Sequence, residues 1–294
     1  MSVPNVKYET SLKSIETENF IDRIFYRPIG FRIACMLLPT KITPNTVTLI
    51  SILVGASAGY FFHYQDIINN VYGILILVAA NILDCTDGQL ARLSGKKSAI
   101  GRILDGLAGD VWFIAIYTGL AYRLSLEHGT NWFYAIATVS GLSHLVQANI
   151  TDYYKTLHLY FISKEKGSEF QTIAEVRARH KAMKPGVYKV FYLLYRFYTA
   201  IQVKATPRLQ QMLGSLQGRY GDDIPGDVRL DFCRKSFRLM RYINLMTFNG
   251  RSIILFIVLF TGFAWVYFVY EIVFLNVILA FSMAKHEKIC ATFS

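Results

Sequence analysis

The stretch Asn81–Asp110 reads NILDCTDGQLARLSGKKSAIGRILDGLAGD. Two apolar segments flank a short basic linker, and Asp84, Asp87, Asp105 and Asp110 sit toward their facing ends. Ionisable groups at membrane depth cost about 2.5–3.5 kcal/mol each on insertion scales, and clustered carboxylates also repel one another. Spacing i, i+3 puts Asp84 and Asp87 on one helix face, and a short linker brings the next helix back beside them. Clustered anions near hydrocarbon are most easily tolerated around bound cations. Oxygen-only ligands favour a hard ion, Mg²⁺ or Mn²⁺, over zinc. A solvated turn at Asp87–Gly88 suits the Asp-Gly pair but does not explain Asp105 inside an apolar helix. A calcium loop is weaker still, lacking the EF-hand spacing and its closing Glu.

The rest of the chain fits a membrane setting. Of 294 residues, 53 % are hydrophobic and 17 % charged, against roughly 25 % charged in soluble domains. Mean hydropathy is +0.32. With 21 Phe and 19 Tyr, low-complexity disorder is excluded. The net charge of +11 is read as basic cytoplasmic loops, not as nucleic-acid binding, since no reader module is present. Cys35, Cys85, Cys233 and Cys290 have neither metal nor disulfide spacing. The polar opening to Phe20 is read as no secretory signal.

About 20 apolar residues span ~30 Å of hydrocarbon. Thr46–His63, Ile67–Leu83, Val111–Tyr122 (extending back through Gly101, Asp105 and Asp110) and Asn131–Thr151 are four such runs. The stretch Ser252–Ala284 is too long for one span and is read as two helices turning near Glu271, although no glycine or proline marks that turn. Arg92, Lys96, Lys97 and Arg102 lie between runs two and three, Lys164–Arg251 is strongly basic, and Lys285 and Lys288 follow the last run. Arg123 alone departs from the alternation. The positive-inside rule then predicts an all-α integral membrane protein with six spans and both termini cytoplasmic. Asn19–Leu38, kinked at Pro28, reads as an amphipathic helix at the interface. A basic cytoplasmic helical insertion lies between spans four and five, with helical patches at Val176–Lys184 and Leu230–Arg241 and a loop at Gly214–Gly226, including Asp222–Asp223. The predicted organisation is 1–40, 41–160, 161–250 and 251–294. The cluster Arg177, Arg179, His180, Lys181 and Lys184 reads as a solvated face attracted to anionic lipid. His144, Gln147 and Asn149 read as helix–helix hydrogen-bonding groups. Asp152 is either solvated or within reach of the aspartates.

The string Asp84-x-x-Asp87-Gly88-x-x-Ala91-Arg92, eight residues, then Gly101-x-x-x-Asp105 resembles the signature of the CDP-alcohol phosphotransferases. Thr43-Pro44-Asn45-x-x-Thr48 is similar to that family as well. The resemblance covers about 18–160 and 250–285. It implies transfer of a substituted phosphate from a CDP-linked alcohol to an acceptor alcohol with release of CMP, at least one partner being a membrane lipid. It also implies a homodimer and two divalent cations bound by Asp84, Asp87 and Asp105. Gly88 and Ala91 would let the nucleotide approach the backbone, Arg92 would contact the pyrophosphate, and Gly101 would allow close packing.

One position departs from the pattern. The family's fourth aspartate, its presumed general base, falls on Gly109, and Asp110 follows. On a regular helix Asp110 points about 140° away from Asp105. A π-bulge between them, eased by Gly106 and Gly109, would restore the register. The expectation is therefore a widened turn that makes Asp110 a fourth metal ligand and the catalytic base beside Asp105. A regular helix would instead leave a three-carboxylate variant or a non-catalytic relative that binds nucleotide or lipid as a scaffold. An intramembrane prenyltransferase is disfavoured, because its first aspartates lie four apart and it has more spans.

Overall fold

The computed structural model describes residues 8–12, 14, 16–96, 98–163, 170–221 and 223–293. Lys97, Lys164 and Asp222, named above, lie outside the described residues. Within them the chain is helical and holds no strand. The helices are α1 (Arg27–Leu37), α2 (Pro44–Phe61), α3 (Ile67–Ser94), α4 (Ala99–His128) and α5 (Trp132–Ile162). They continue as α6 (Ile173–Ala182), α7 (Val187–Ala205), α8 (Pro207–Tyr220), α9 (Gly226–Leu245), α10 (Phe248–Thr261), α11 (Trp265–Val269) and α12 (Leu275–Cys290). Contacts divide them into two compact units. The first is Met1–Leu145 with Phe248–Phe274, and the second is Val146–Thr247 with Leu275–Ser294.

Four helical stretches are long and apolar enough to cross a membrane: Ile67–Ser94, Ile100–His128, Gly226–Thr261 and Trp265–Cys290. The runs expected at Thr46–His63 and Asn131–Thr151 are helical, as α2 and within α5, but are not among these four. Ser, Thr and Gly dilute the first. His144, Gln147, Asn149 and Asp152 dilute the second.

In the first unit, α2 packs on both α3 and α4. Glycines set how closely. A Cβ at Gly119 would lie 2.1 Å from the Gly59 carbonyl oxygen, and one at Gly59 would lie 2.4 Å from that of Ala115. One turn away, Gly55 leaves the space filled by the Trp112 ring, whose Nε1–H donates to Ser51 O at 3.0 Å. Ala58, Leu77, Ile116 and Leu255 continue this apolar core. Arg123, the exception in the charge pattern, is buried and ties the α2–α3 turn. Its Nη1 donates to Tyr64 O and to Asn70 Oδ1, both at 3.2 Å.

Two sequence expectations are corrected here, and a third region gains detail. The turn expected near Glu271 lies between α10 and α11, where Gly262 adopts φ +78°. That glycine was the signal. Glu271 sits instead in a π turn, Tyr270–Phe274, fully buried, where its carboxylate accepts from the Arg251 guanidinium. The length of the stretch called for a break, and Gly262 supplies it, while pairing with Arg251 lets Glu271 stay buried inside the helical segment. At Pro28, where a kink is expected, the helical path continues. A π turn, Asp22–Tyr26, continues without a gap into α1, with Arg27 N–H donating to Asp22 O. The widened turn relieves the clash that the proline ring would make with a regular ladder. Finally, Gly214 and Gly218 are helical in α8, so the expected loop shrinks to the residues between Tyr220 and Gly226.

Gly119→Ala should lower unfolding stability in detergent by about 1–3 kcal/mol through overpacking. Gly141→Ala, whose added Cβ meets nothing nearer than 3.9 Å, should leave it unchanged or raised. Arg251→Met alone should cost about 3–5 kcal/mol, and the double change with Glu271→Leu should recover most of that loss. Equal losses for single and double variants would contradict a desolvated pair.

Candidate metal centre

Helix α3 starts with Asp66 as its cap, accepting from Asn69 N–H at 2.9 Å, and ends at Gly95 in the left-handed region. Asp84 and Asp87 therefore fall one turn apart near its C-terminal end. The Ser98 hydroxyl caps α4, accepting from Gly101 N–H at 2.9 Å, which sets Asp105 two turns into that helix. These placements converge. One carboxylate oxygen from each of Asp84, Asp87 and Asp105 lies within 4.8 Å of the others. Asp87 is 3 % exposed and Asp105 is open to solvent, so the group grades from buried to accessible.

The threonine–proline motif supports this junction. Thr43 accepts from Thr46 N–H at 3.3 Å, and Pro44 occupies the first turn of α2, where a missing N–H is no loss. Asn45 Oδ1 accepts from the Ser98 hydroxyl at 3.4 Å. A Cβ at Gly101 would sit 2.7 Å from that same Asn45 oxygen, so the glycine lets the starts of α2 and α4 touch. Thr48 is buried against Asp87 while its hydroxyl donates to Pro44 O at 3.1 Å.

Arg92 lies beside Gly88. A Cβ there would be 3.4 Å from two guanidinium nitrogens. Arg92 Nε donates to the Ser11 carbonyl, and Gln89 Nε2 donates to the Ser11 hydroxyl at 3.1 Å. Arg27 reaches the electrostatic field of Asp84 and pairs with Glu18 at 3.6 Å. Sequence reasoning gave Ser11, Gln89 and Arg27 no part in this site. Ser11 and Arg27 arrive from across the fold, whereas Gln89 lies on α3 between Asp87 and Arg92 and shows its part only through its contact with Ser11.

Helix α4 is regular through Asp105–Asp110, with no π turn. The expectation of a widened turn aiming Asp110 at the cluster is therefore corrected. Gly106 and Gly109 permit distortion but do not cause it, and no atom lies within 4 Å of a Cβ built at either. Asp110 is buried against α5, 3.4 Å from His144 Nε2, and His144 Nδ1 lies 3.1 Å from the Tyr117 hydroxyl. A proton on Nε2 satisfies both contacts. Within the second unit, Gln147 donates to Asn276 at 2.9 Å and Asn149 to Tyr198 O at 3.1 Å, so all three polar residues of this run bond neighbouring helices. Asp152 lies on α5 in that second unit, exposed.

The acidic group suits a hard divalent ion. Asp87 Oδ2 is buried without a hydrogen-bond partner, and all donors are carboxylate oxygens. A second group of potential ligands, His286, Glu287 and Cys290, is otherwise engaged. Glu287 accepts from Arg208 and Leu209 N–H at 2.8 and 3.3 Å, capping α8. His286 Nδ1 meets Cys290 Sγ at 3.4 Å, and its ring stacks on Tyr154.

Residues 41–179 match the family described as CDP-alcohol phosphatidyltransferase. This segment belongs to that family. It carries the whole acidic group and the Thr43–Thr48 motif, and it ends within α6. Relatives among curated proteins include the archaetidylinositol phosphate synthase of Pyrococcus horikoshii, 37 % identical over 90 residues. Another is the bifunctional IPC transferase and DIPP synthase of Archaeoglobus fulgidus, 35 % identical over 102 residues. The matches cover 31 % and 34 % of this chain, but 46 % and 20 % of the respective relatives.

Mn²⁺ titration of the purified protein should separate the aspartates. Asp87→Asn should weaken binding about tenfold or more, whereas Asp110→Asn should leave it nearly unchanged. Equal losses would return Asp110 to the metal group.

Proposed function

We propose that the chain transfers a substituted phosphate from a CDP-linked alcohol to an acceptor alcohol, releasing CMP, in membrane lipid synthesis. The observation that carries this reading is the convergence of Asp84, Asp87 and Asp105, with a buried unpartnered oxygen on Asp87, inside a CDP-alcohol phosphatidyltransferase segment. Two divalent cations, Mg²⁺ or Mn²⁺, held by these three residues would neutralise charge on the diphosphate and on the leaving CMP. Arg92 offers a fixed donor fork to the phosphates. Gly88 and Ala91 keep that face of α3 low enough for the nucleotide to approach. With Gly109 bare and Asp110 turned to His144, we assign this chain a three-carboxylate site. Asp105, its exposed member, accepts the proton of the incoming alcohol.

The name of the first relative supports a lipid-linked inositol phosphate as the product class to test first, with a CDP-lipid as donor. Six spans with both termini and the site cytoplasmic, an interfacial N-terminal helix and a homodimer complete the proposal. The four organisational segments set out from the sequence belong to it as well. Support comes from the four apolar helices and from the basic linker between α3 and α4. A second reading, a non-catalytic relative, is favoured by the single observation that Asp110 faces α5.

CMP release from CDP-lipid and inositol phosphate, with other donor and acceptor pairs as controls, tests the proposal. Activity should need Mg²⁺ or Mn²⁺ and stop on chelation. Asp105→Asn should lower turnover by about 10²-fold or more while nucleotide binding survives. Nucleotide binding without CMP release from any pair would favour the scaffold.

A further inference from the structure

Helix α7 is inverted relative to a helix on a water-facing surface. Three of its polar side chains, Tyr192, Thr199 and Gln202, point into the second unit and are buried. Gln202 Nε2 donates to Asn149 O at 3.2 Å, the Tyr192 hydroxyl donates to Gln171 at 3.4 Å, and Arg179 of α6 lies over the Tyr192 ring. The apolar positions point outward. Val190, Leu194, Phe197 and Ile201 follow one another at i, i+4, i+7 and i+11, and all are exposed, Phe197 by 58 %. This stripe is about 17 Å long at 1.5 Å per residue. In water such an arrangement leaves apolar area unburied while polar side chains occupy the interior, so the outward face is built for an apolar medium.

Charge selects which medium. From Ile173 to Ala205 the chain carries seven Lys and Arg residues and a single acid, Glu175. Arg177, Arg179, Lys181 and Lys184, in and just after α6, are exposed. Lys189, Arg196 and Lys204 punctuate α7 itself, and a basic residue at the middle of the helix argues against its crossing a bilayer. A basic helix pair with an outward apolar stripe has the build of an element lying in an anionic lipid surface. The family match ends at residue 179, so α7 is outside it.

We propose that α7 lies in the interfacial layer of an anionic leaflet, its Val190–Ile201 stripe in the acyl region and the basic residues of α6 among the headgroups. This anchors the second unit to the membrane surface independently of the transfer chemistry. Full-length Leu194→Trp and Phe197→Trp variants, in phosphatidylcholine vesicles with or without phosphatidylglycerol, report the surroundings as emission beyond that of Trp112, Trp132 and Trp265. Acyl-brominated lipid should quench this added emission about twofold, and more with phosphatidylglycerol present, while aqueous iodide has little effect. Changing Arg177, Arg179, Lys181 and Lys184 to Gln in the Phe197→Trp background should abolish the increment due to phosphatidylglycerol. Quenching by iodide in place of lipid means a hydrated face. Protection from both quenchers means a protein cover. Either outcome overturns the proposal, as does quenching indifferent to anionic lipid. None of these readings depends on CMP release.

Discussion

Three carboxylates with oxygens within 4.8 Å of one another repel by roughly 3.5 kcal/mol or more per ionised pair at an effective dielectric near 20. The rest of the first unit is arranged around that repulsion. Asp84 has Arg27 in its field, and Asp105 opens to solvent, but Asp87 Oδ2 is buried with no hydrogen bond. A fold that keeps such a group must find compensation beyond its own side chains. In the proposed function, divalent cations held among the three carboxylates would supply the matching positive charge. This is why the convergence at the α3 and α4 ends carries the functional reading.

Close backbone approach holds that convergence in place. At Gly59 and Gly119 the helices α2 and α4 meet without side chains between them, and at Gly101 the start of α4 touches Asn45. Such contacts leave little freedom to slide, since an added methyl at Gly119 or Gly59 would strike backbone. The register of Asp105 on α4 is thus tied to the glycines of α2 and α4. Asp110 belongs to the same regular ladder. Its turn toward His144 follows from 100° per residue and from the absence of any force that would open a π turn there.

Widened turns do occur in this protein, but where a specific strain demands them. One precedes Pro28, where a regular ladder would collide with the ring. The other holds Glu271 against Arg251, two helices apart in sequence, where a buried ion pair sets the side-chain direction. Flexibility at glycine is permissive. A proline clash or a desolvated charge is a cause. That distinction accounts for a π turn being expected at Gly106–Gly109 and found elsewhere.

Local physics made much of this molecule legible in the chain alone. Apolar runs long enough to span hydrocarbon defined helices, and the i, i+3 spacing of Asp84 and Asp87 with a short basic linker placed the acidic group before any coordinates. Polar side chains inside the apolar run of α5 are legible as helix–helix hydrogen-bonding groups, and His144, Gln147 and Asn149 make such contacts. What needed the tertiary structure were interactions between residues far apart in sequence. Gly262 rather than Glu271 makes the turn because Arg251 reaches Glu271 from another helix. Ser11 and Arg27 come to the site only through the docking of the N-terminal segment and α1 on α3. The inside-out face of α7 is also decided by its neighbours, since its sequence has two usable faces and only packing against α5 and α6 chooses which one is buried.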